Sequence, residues 1–267
     1  MNRSYYASPE FLQTKHEMAS ANDSFVSWVL SLVEWAADGT VLDLGCGYGR
    51  FAVPLVRTKR VSPERLVCAD NSHQMLTSCL GRFAALGIAL PRAVLASAEA
   101  LPIGAACIDV AVANHLLDGL DDLAGAIREL RRVLRPGGSL VATVNDVDQP
   151  IPLLLAHERT LQELGVEHAL GIDDAVFSNL NGRTLLEAQF AVVTQFIFHV
   201  DQREHTADSL TRLYRETGTF KSLLSRTDIS DIQKAALSET FASHARALSN
   251  PVGTIPNPLR ITLFLCR

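Results

Sequence analysis

The chain has few of the features that announce a whole class of protein. Its five cysteines, Cys46, Cys68, Cys79, Cys107 and Cys266, are odd in number and include no Cys-x-x-Cys pair. Most lie in apolar runs, so buried free thiols in a reducing cytosol are expected in place of disulfides or a zinc site. No set of His or Cys has metal-ligand spacing and no Gly-x-Ser-x-Gly elbow occurs, so neither a metal nor a nucleophilic serine is expected. The start carries no basic region followed by an apolar core, and no signal peptide is expected. Phe25 to Ala37, the most hydrophobic early segment, is broken by Ser27, Ser31 and Glu34 and is too short to span a bilayer. Internal repeats and low-complexity tracts are missing as well. A soluble, cytoplasmic protein with no membrane partner is the expectation.

An excess of positive charge is also missing. The net charge of −5 and pI near 5.9 argue against a nucleic-acid partner. Arg128, Arg131, Arg132 and Arg135 do form a basic run, but a solvated face near a helix C-terminus explains it. With 267 residues, 48% of them hydrophobic, the chain can build one full core with an appended cap, or two small domains. One domain with insertions is favoured.

What is present centres on Thr40 to Arg50, Thr-Val-Leu-Asp-Leu-Gly-Cys-Gly-Tyr-Gly-Arg. A short apolar run turns into glycines at alternate positions, Gly45, Gly47 and Gly49, and then into a helix-compatible segment: strand, tight turn, helix. Glycine lets such a backbone take conformations closed to other residues and brings N–H groups close to a ligand. A dinucleotide fingerprint needs its third glycine one position later, where Arg50 stands, and Asp43 would oppose a pyrophosphate. The same carboxylate suits a ligand bearing a cation or an ammonium group. These residues resemble motif I of the class I S-adenosylmethionine-dependent methyltransferases, apolar-Asp-apolar-Gly-x-Gly-x-Gly.

From Asp23, a candidate N-cap, Phe25, Trp28, Val29, Leu32 and Val33 recur at helical spacing, and Gly39 ends the pattern. The preceding leader, with Tyr5 and Tyr6, reads either as partly ordered or as a lid. Arg65 to Asp70 is a second strand ending in an acid, at the offset from the glycines where a carboxylate receives two ribose hydroxyls. The bland alternative is a turn residue. Ser72 is the expected N-cap of the next helix, which runs to about Gly87. Pro91 to Ala96 is a third strand, and Cys107 to His115 a fourth, whose near-continuous apolar run suits a parallel strand covered on both faces. Asp109 begins that run and reads as structural. Asp121-Asp122 opens a helix with Leu123, Ile127, Leu130 and Leu134 on one face.

Two further segments carry the resemblance. Ser97-Ala-Glu-Ala-Leu-Pro is similar to the family's Asp-Ala-Glu-x-Leu-Pro, with Ser97 in place of the Asp that meets the adenine edge. The resemblance then shifts the adenine contact toward the backbone of Ala98. Pro136-Gly-Gly before Ser139-Leu-Val-Ala-Thr-Val is similar to the family's sharp turn into the fifth strand. Beyond residue 144 the likeness is one of topology only: Gln189 to Val200 and Leu259 to Cys266 read as strands, His205 to Thr217 and Asp228 to Ala247 as helices.

The resemblance implies an α/β, Rossmann-like doubly wound sheet of seven strands, ordered 3-2-1-4-5-7-6 with the last strand antiparallel, plus a helical N-terminal segment and a cap. The expected organisation is residues 1–38 as N-terminal segment or lid and 39–149 as cofactor-binding core. Residues 150–189 are expected as a cap over the acceptor, and 190–267 complete the sheet. The implied cofactor is S-adenosylmethionine, and its binding set is Asp43, Gly45, Cys46, Gly47, Asp70, Asn71, Ser97, Ala98, Glu99 and Asn114. His115, at the end of the fourth strand, is the candidate base, with a packed structural imidazole as the alternative. Asp118 could hold a substrate amine or cap a turn. The implied reaction is methylation of a small organic acceptor on oxygen, nitrogen or carbon, by a monomer or homodimer. Two rivals stay open: a protein that binds the cofactor for a reaction other than methylation, and a nicotinamide-dependent oxidoreductase.

Overall fold

A computed structural model describes residues 24–35, 38–148, 151–167, 176–199, 204–256 and 260–267. The N-cap expected at Asp23 and the lid expected around Tyr5 and Tyr6 lie outside the described residues. In chain order the elements are α1 (Ser24–Leu32), β1 (Val41–Leu44), α2 (Ala52–Arg57), β2 (Leu66–Asp70), α3 (His73–Ala85), β3 (Arg92–Leu95) and β4 (Ile108–Asn114). They continue as α4 (Leu123–Val133), β5 (Leu134–Asn145), α5 (Pro152–Glu163), α6 (Gly182–Glu187), β6 (Val193–His199), α7 (Ala207–Glu216), α8 (Gly218–Ser225), α9 (Asp231–Ala247) and β7 (Arg260–Cys266).

Two compact units result. The sheet unit comprises the described parts of Leu12–Val147, Ala175–Phe198 and Ile261–Arg267; the second holds those of Asp148–Asp174 and His199–Arg260. The segment expected as one cap, 150–189, is thus shared between them, with α6 belonging to the sheet unit.

The sheet has seven strands in the order β3-β2-β1-β4-β5-β7-β6, as expected from the resemblance. β1 pairs in parallel with β2 and β4, so Leu44 lies beside both Ala69 and Ala113. β3 continues the parallel set through Asp70 beside Leu95, while β7 runs antiparallel to β5. The inner strands β1 and β2 are buried along their whole length, whereas the edge strand β3 is mostly exposed. Consequently the carboxyl ends of β1 to β4 all finish on one side of the sheet, where open α/β folds place their ligands.

Local chemistry explains the element boundaries. The Ser72 hydroxyl accepts from the Met75 N–H and starts α3, and the Asp122 carboxylate accepts from Gly125 to start α4. Leu123, Ala126, Ile127, Leu130 and Val133 form the buried stripe of α4. Leu134, expected to end that stripe, instead opens β5 beside Ile108. Pro136 and the glycines then bulge, because pairing jumps from Ile108 with Leu134 to Val110 with Ser139, and Gly137 sits at φ 78°.

Asp109 is structural, as read: its carboxylate accepts from the Thr40 N–H at 2.7 Å and from Arg135 at 2.8 Å. Arg132 donates to Glu129 and to the Leu101 and Ile103 carbonyls, which ties the segment after β3 to α4. The Arg132 side chain holds the Glu129 carboxyl down to about 2. Much of the basic run therefore braces the fold.

The helical unit has its own core. Tyr214 of α7 stacks on Phe241 of α9 with centroids 3.9 Å apart, and Phe220 of α8 meets Tyr214 edge-on. Buried His157 of α5 lies with Nδ1 3.0 Å from the Tyr214 hydroxyl, a core histidine. Ser230 and Thr206 make capping boxes at the starts of α9 and α7. The short helix α8, capped by Thr217, has no counterpart in the sequence analysis, because Gly218 opens it and interrupts the helical pattern.

Candidate cofactor and acceptor site

The glycine loop is anchored from below. The Gly45 and Cys46 N–H groups both donate to the Ala69 carbonyl, at 2.8 and 3.1 Å, so the loop is registered against the end of β2. Gly45, Gly47 and Gly49 all have positive φ, at 67°, 53° and 83°. Other residues enter that region at a cost, which is why the turn needs glycine. A Cβ at Gly47 would meet nothing within 4 Å, so this part of the loop faces open space that a ligand can approach.

Two carboxylates flank the loop in different states of satisfaction. Asp70 accepts from the Gly47 N–H at 2.9 Å and from the Ser72 N–H at 2.9 Å, which fixes its orientation at the end of β2. Burial nevertheless raises its pKa, with the two backbone donors opposing. Asp43 is only 2% exposed, and its Oδ2 has no hydrogen-bond partner among the described residues. Burial, and after it the neighbouring Cys79 sulfur, pushes its carboxyl well above the ordinary range, against a backbone N–H from Ala52. A buried acceptor oxygen left unmet costs free energy, so Asp43 is arranged for something other than stability.

The remaining candidates gather around the strand ends. Asn71 and Ser97 are exposed, Ala98 is buried, and Glu99 is half-buried and accepts a hydrogen bond from the Ser97 hydroxyl. Asn114 closes β4, where its Oδ1 accepts from the Thr143 hydroxyl at 2.7 Å. The next residue, His115, has φ 48°, a strained left-handed conformation for a residue with a side chain. Its N–H donates to the Thr143 carbonyl and hydroxyl oxygens, at 3.1 and 3.2 Å, and this holds the strained turn in place. Asp118 lies half-buried in the short 3-10 turn that follows, Leu117–Gly119.

Several contributors escape sequence reasoning. Thr143 is completely buried in β5 opposite Asn114, and its only signal is a hydroxyl in the apolar run Leu140-Val-Ala-Thr-Val. An aromatic group stands beside His115: the Phe25 ring is 6.1 Å from the imidazole, 5.3 Å from Phe198 and 6.0 Å from Phe51, and Trp28 is 5.1 Å from Phe198. The Arg50 guanidinium lies over Phe25 at 5.4 Å. Phe25 and Trp28 belong to α1 and Phe198 to β6, so only the folded sheet unit assembles this wall.

Residues 42–142 match the family of methyltransferase domains. Over that stretch the chain carries a methyltransferase domain. It is 32% identical over 154 residues to the malonyl-[acyl-carrier protein] O-methyltransferase of Enterobacter lignolyticus, covering 58% of this chain and 56% of that protein. The chain spans about half the length of the first curated relatives that it matches. Among solved structures, the YcgJ protein from Bacillus subtilis superposes with a TM-score of 0.57 at 18% identity, over 91% of this chain and 97% of that one. The [4+2]-cyclase SpnF gives 0.56 at 17% identity, over 92% and 80%. These two likenesses establish the fold alone.

The site of this methyltransferase domain fits S-adenosylmethionine. The unmet Asp43 oxygen and the open face over Gly47 are a carboxyl acceptor and an uncrowded backbone, which suit a cationic nucleoside ligand. Among the described residues no helix is long and apolar enough to cross a membrane.

Proposed function

We propose that this domain transfers the methyl group of S-adenosylmethionine to a small organic acceptor. The single observation that carries the reading is the buried, unmet Asp43 Oδ2 beneath a glycine loop that is itself pinned to a second carboxylate, Asp70. When bound, the cofactor supplies a methyl on a sulfonium, open to in-line attack by oxygen, nitrogen or carbon. Asp70 accepts the ribose hydroxyls, while Gly45, Cys46 and Gly47 offer their backbone. Asp43 balances the ligand's positive charge. Asn71, Ser97, Ala98 and Glu99 would serve the nucleoside end, and Asn114, at the end of β4, would join them in holding the cofactor.

Catalysis comes largely from holding the reactants together and excluding water. The aromatic wall of Phe25, Trp28 and Phe198 supplies an apolar surface for the acceptor. His115 is placed to take a proton from it, with Asp118 as a second polar group. The strain at His115 supports this role, since strained backbone gathers at functional sites. The protein works in the cytoplasm as a monomer or homodimer, without a nucleic-acid or membrane partner.

Parallel calorimetric titrations with S-adenosylmethionine, S-adenosylhomocysteine and NADH test the cofactor. Binding of the first two and not of NADH is expected. Formation of S-adenosylhomocysteine together with a methylated product separates methyl transfer from a cyclisation that uses the same fold. His115→Asn, which tolerates the left-handed backbone, should keep cofactor binding and lower kcat by roughly 100- to 10,000-fold for an acceptor that must lose a proton. Undiminished kcat in that variant removes the histidine from the mechanism.

A further inference from the structure

Three cysteines far apart in sequence meet behind the glycine loop. The Sγ atoms of Cys46, Cys68 and Cys79 lie within 4.8 Å of one another, and all three residues are buried. They come from three elements: the loop after β1, the middle of β2, and α3. Register explains the meeting, since Cys68 pairs with Asp43 two residues before the loop begins. Gly49 completes it, because a Cβ there would stand 2.9 Å from Cys79 Sγ. The turn that faces the cofactor on one side thus leaves room for a sulfur on the other.

We propose that this trio is a binding site for one thiophilic divalent cation of the Zn2+ class. Sulfur ligands at a Zn–S length of about 2.3 Å stand roughly 3.8 to 4.0 Å apart, so three sulfurs already inside 4.8 Å need only a small contraction. An all-thiolate set favours soft, closed-shell ions over hard ones such as Mg2+ or Ca2+. On binding, three S–H bonds give three metal–sulfur bonds, and three protons leave to water. The resulting centre carries one negative charge. Arg82, which donates to the Tyr48 carbonyl at 3.3 Å, acts electrostatically on Cys79 and offsets part of that charge. An ion here would join the loop, β2 and α3 through bonds that ignore their separation in sequence. The glycine turn would then be held in its cofactor-ready shape whether or not a cofactor is bound. The inference is independent of methyl transfer, and its test reads the metal directly.

The experiment is titration of the reduced 267-residue chain with Cd2+, followed by the sulfur-to-metal charge-transfer absorption in the near ultraviolet, with Zn2+ as competitor. A band that saturates at one equivalent, is displaced by Zn2+ and is lost in Cys79→Ala is expected. It should persist in Cys107→Ser, which removes the exposed thiol outside the trio. Circular dichroism checks that each variant folds. If Cys79→Ala does not fold, Cys46→Ala, altered in the loop, takes its place. A band that fails to saturate, survives in the folded trio variant or disappears with Cys107 overturns the proposal.

Discussion

Asp43→Asn separates what this carboxylate does for the fold from what it does for the ligand. Asparagine keeps the shape and one oxygen for the Ala52 N–H, and removes the charge from a side chain only 2% exposed. Because the folded protein raises the pKa of Asp43, the folded state holds that proton more tightly than the unfolded chain does. This contribution to stability is therefore fully present below the ordinary aspartate range and is lost as pH rises through the raised value. At neutral pH the wild type carries the cost and the variant does not. A buried unmet charge costs more than a buried unmet amide, so the ligand-free variant should gain about 1 to 2 kcal/mol. Binding of S-adenosylmethionine should weaken by about 1.5 to 3 kcal/mol, the scale of a charge-assisted contact, which is roughly 10- to 150-fold in Kd. Both tryptophans, Trp28 and Trp35, lie in the sheet unit, so their fluorescence during urea unfolding at acid and at alkaline pH follows the relevant part. The gain should grow with pH. A variant less stable than the wild type at alkaline pH, or one with unchanged cofactor affinity, refutes the reasoning.

Asp70→Ala should weaken cofactor binding by about 1 to 3 kcal/mol and also destabilise the ligand-free protein, since it leaves the Gly47 and Ser72 N–H groups unmet. Unchanged affinity by calorimetry would contradict the ribose role. Gly49→Ala should lower the stability of the sheet unit by about 1 to 3 kcal/mol, because φ is 83° and the new methyl meets Cys79 Sγ at 2.9 Å. Adding Cys79→Ala should restore only the part due to the clash, so a full recovery in the double variant would remove backbone strain from the explanation.

The sequence by itself determined the class of fold and the position of the loop. Asp43 and the alternating glycines are adjacent in sequence, and strand, turn and helix chemistry is local, so the loop is legible from spacing. Pro136-Gly137-Gly138 and the apolar run of β4 are legible for the same reason. Tertiary structure decided everything that depends on pairing across the sheet. Thr143 meets Asn114 and His115 only because β5 lies beside β4 in that register. Phe25, Trp28 and Phe198 become one wall because α1 and β6, far apart in the sheet unit's chain, close on the same corner. The sequence reading expected no metal-ligand set, since no cysteine lies near another at ligand spacing, yet register brings three sulfurs together. The left-handed turn at His115 is likewise invisible in a one-letter code, because histidine, though enriched among the non-glycine residues that take a positive φ, does so only rarely. Local spacing reports what a backbone can do; only packing fixes which distant side chains share a volume and which buried oxygen is left without a partner.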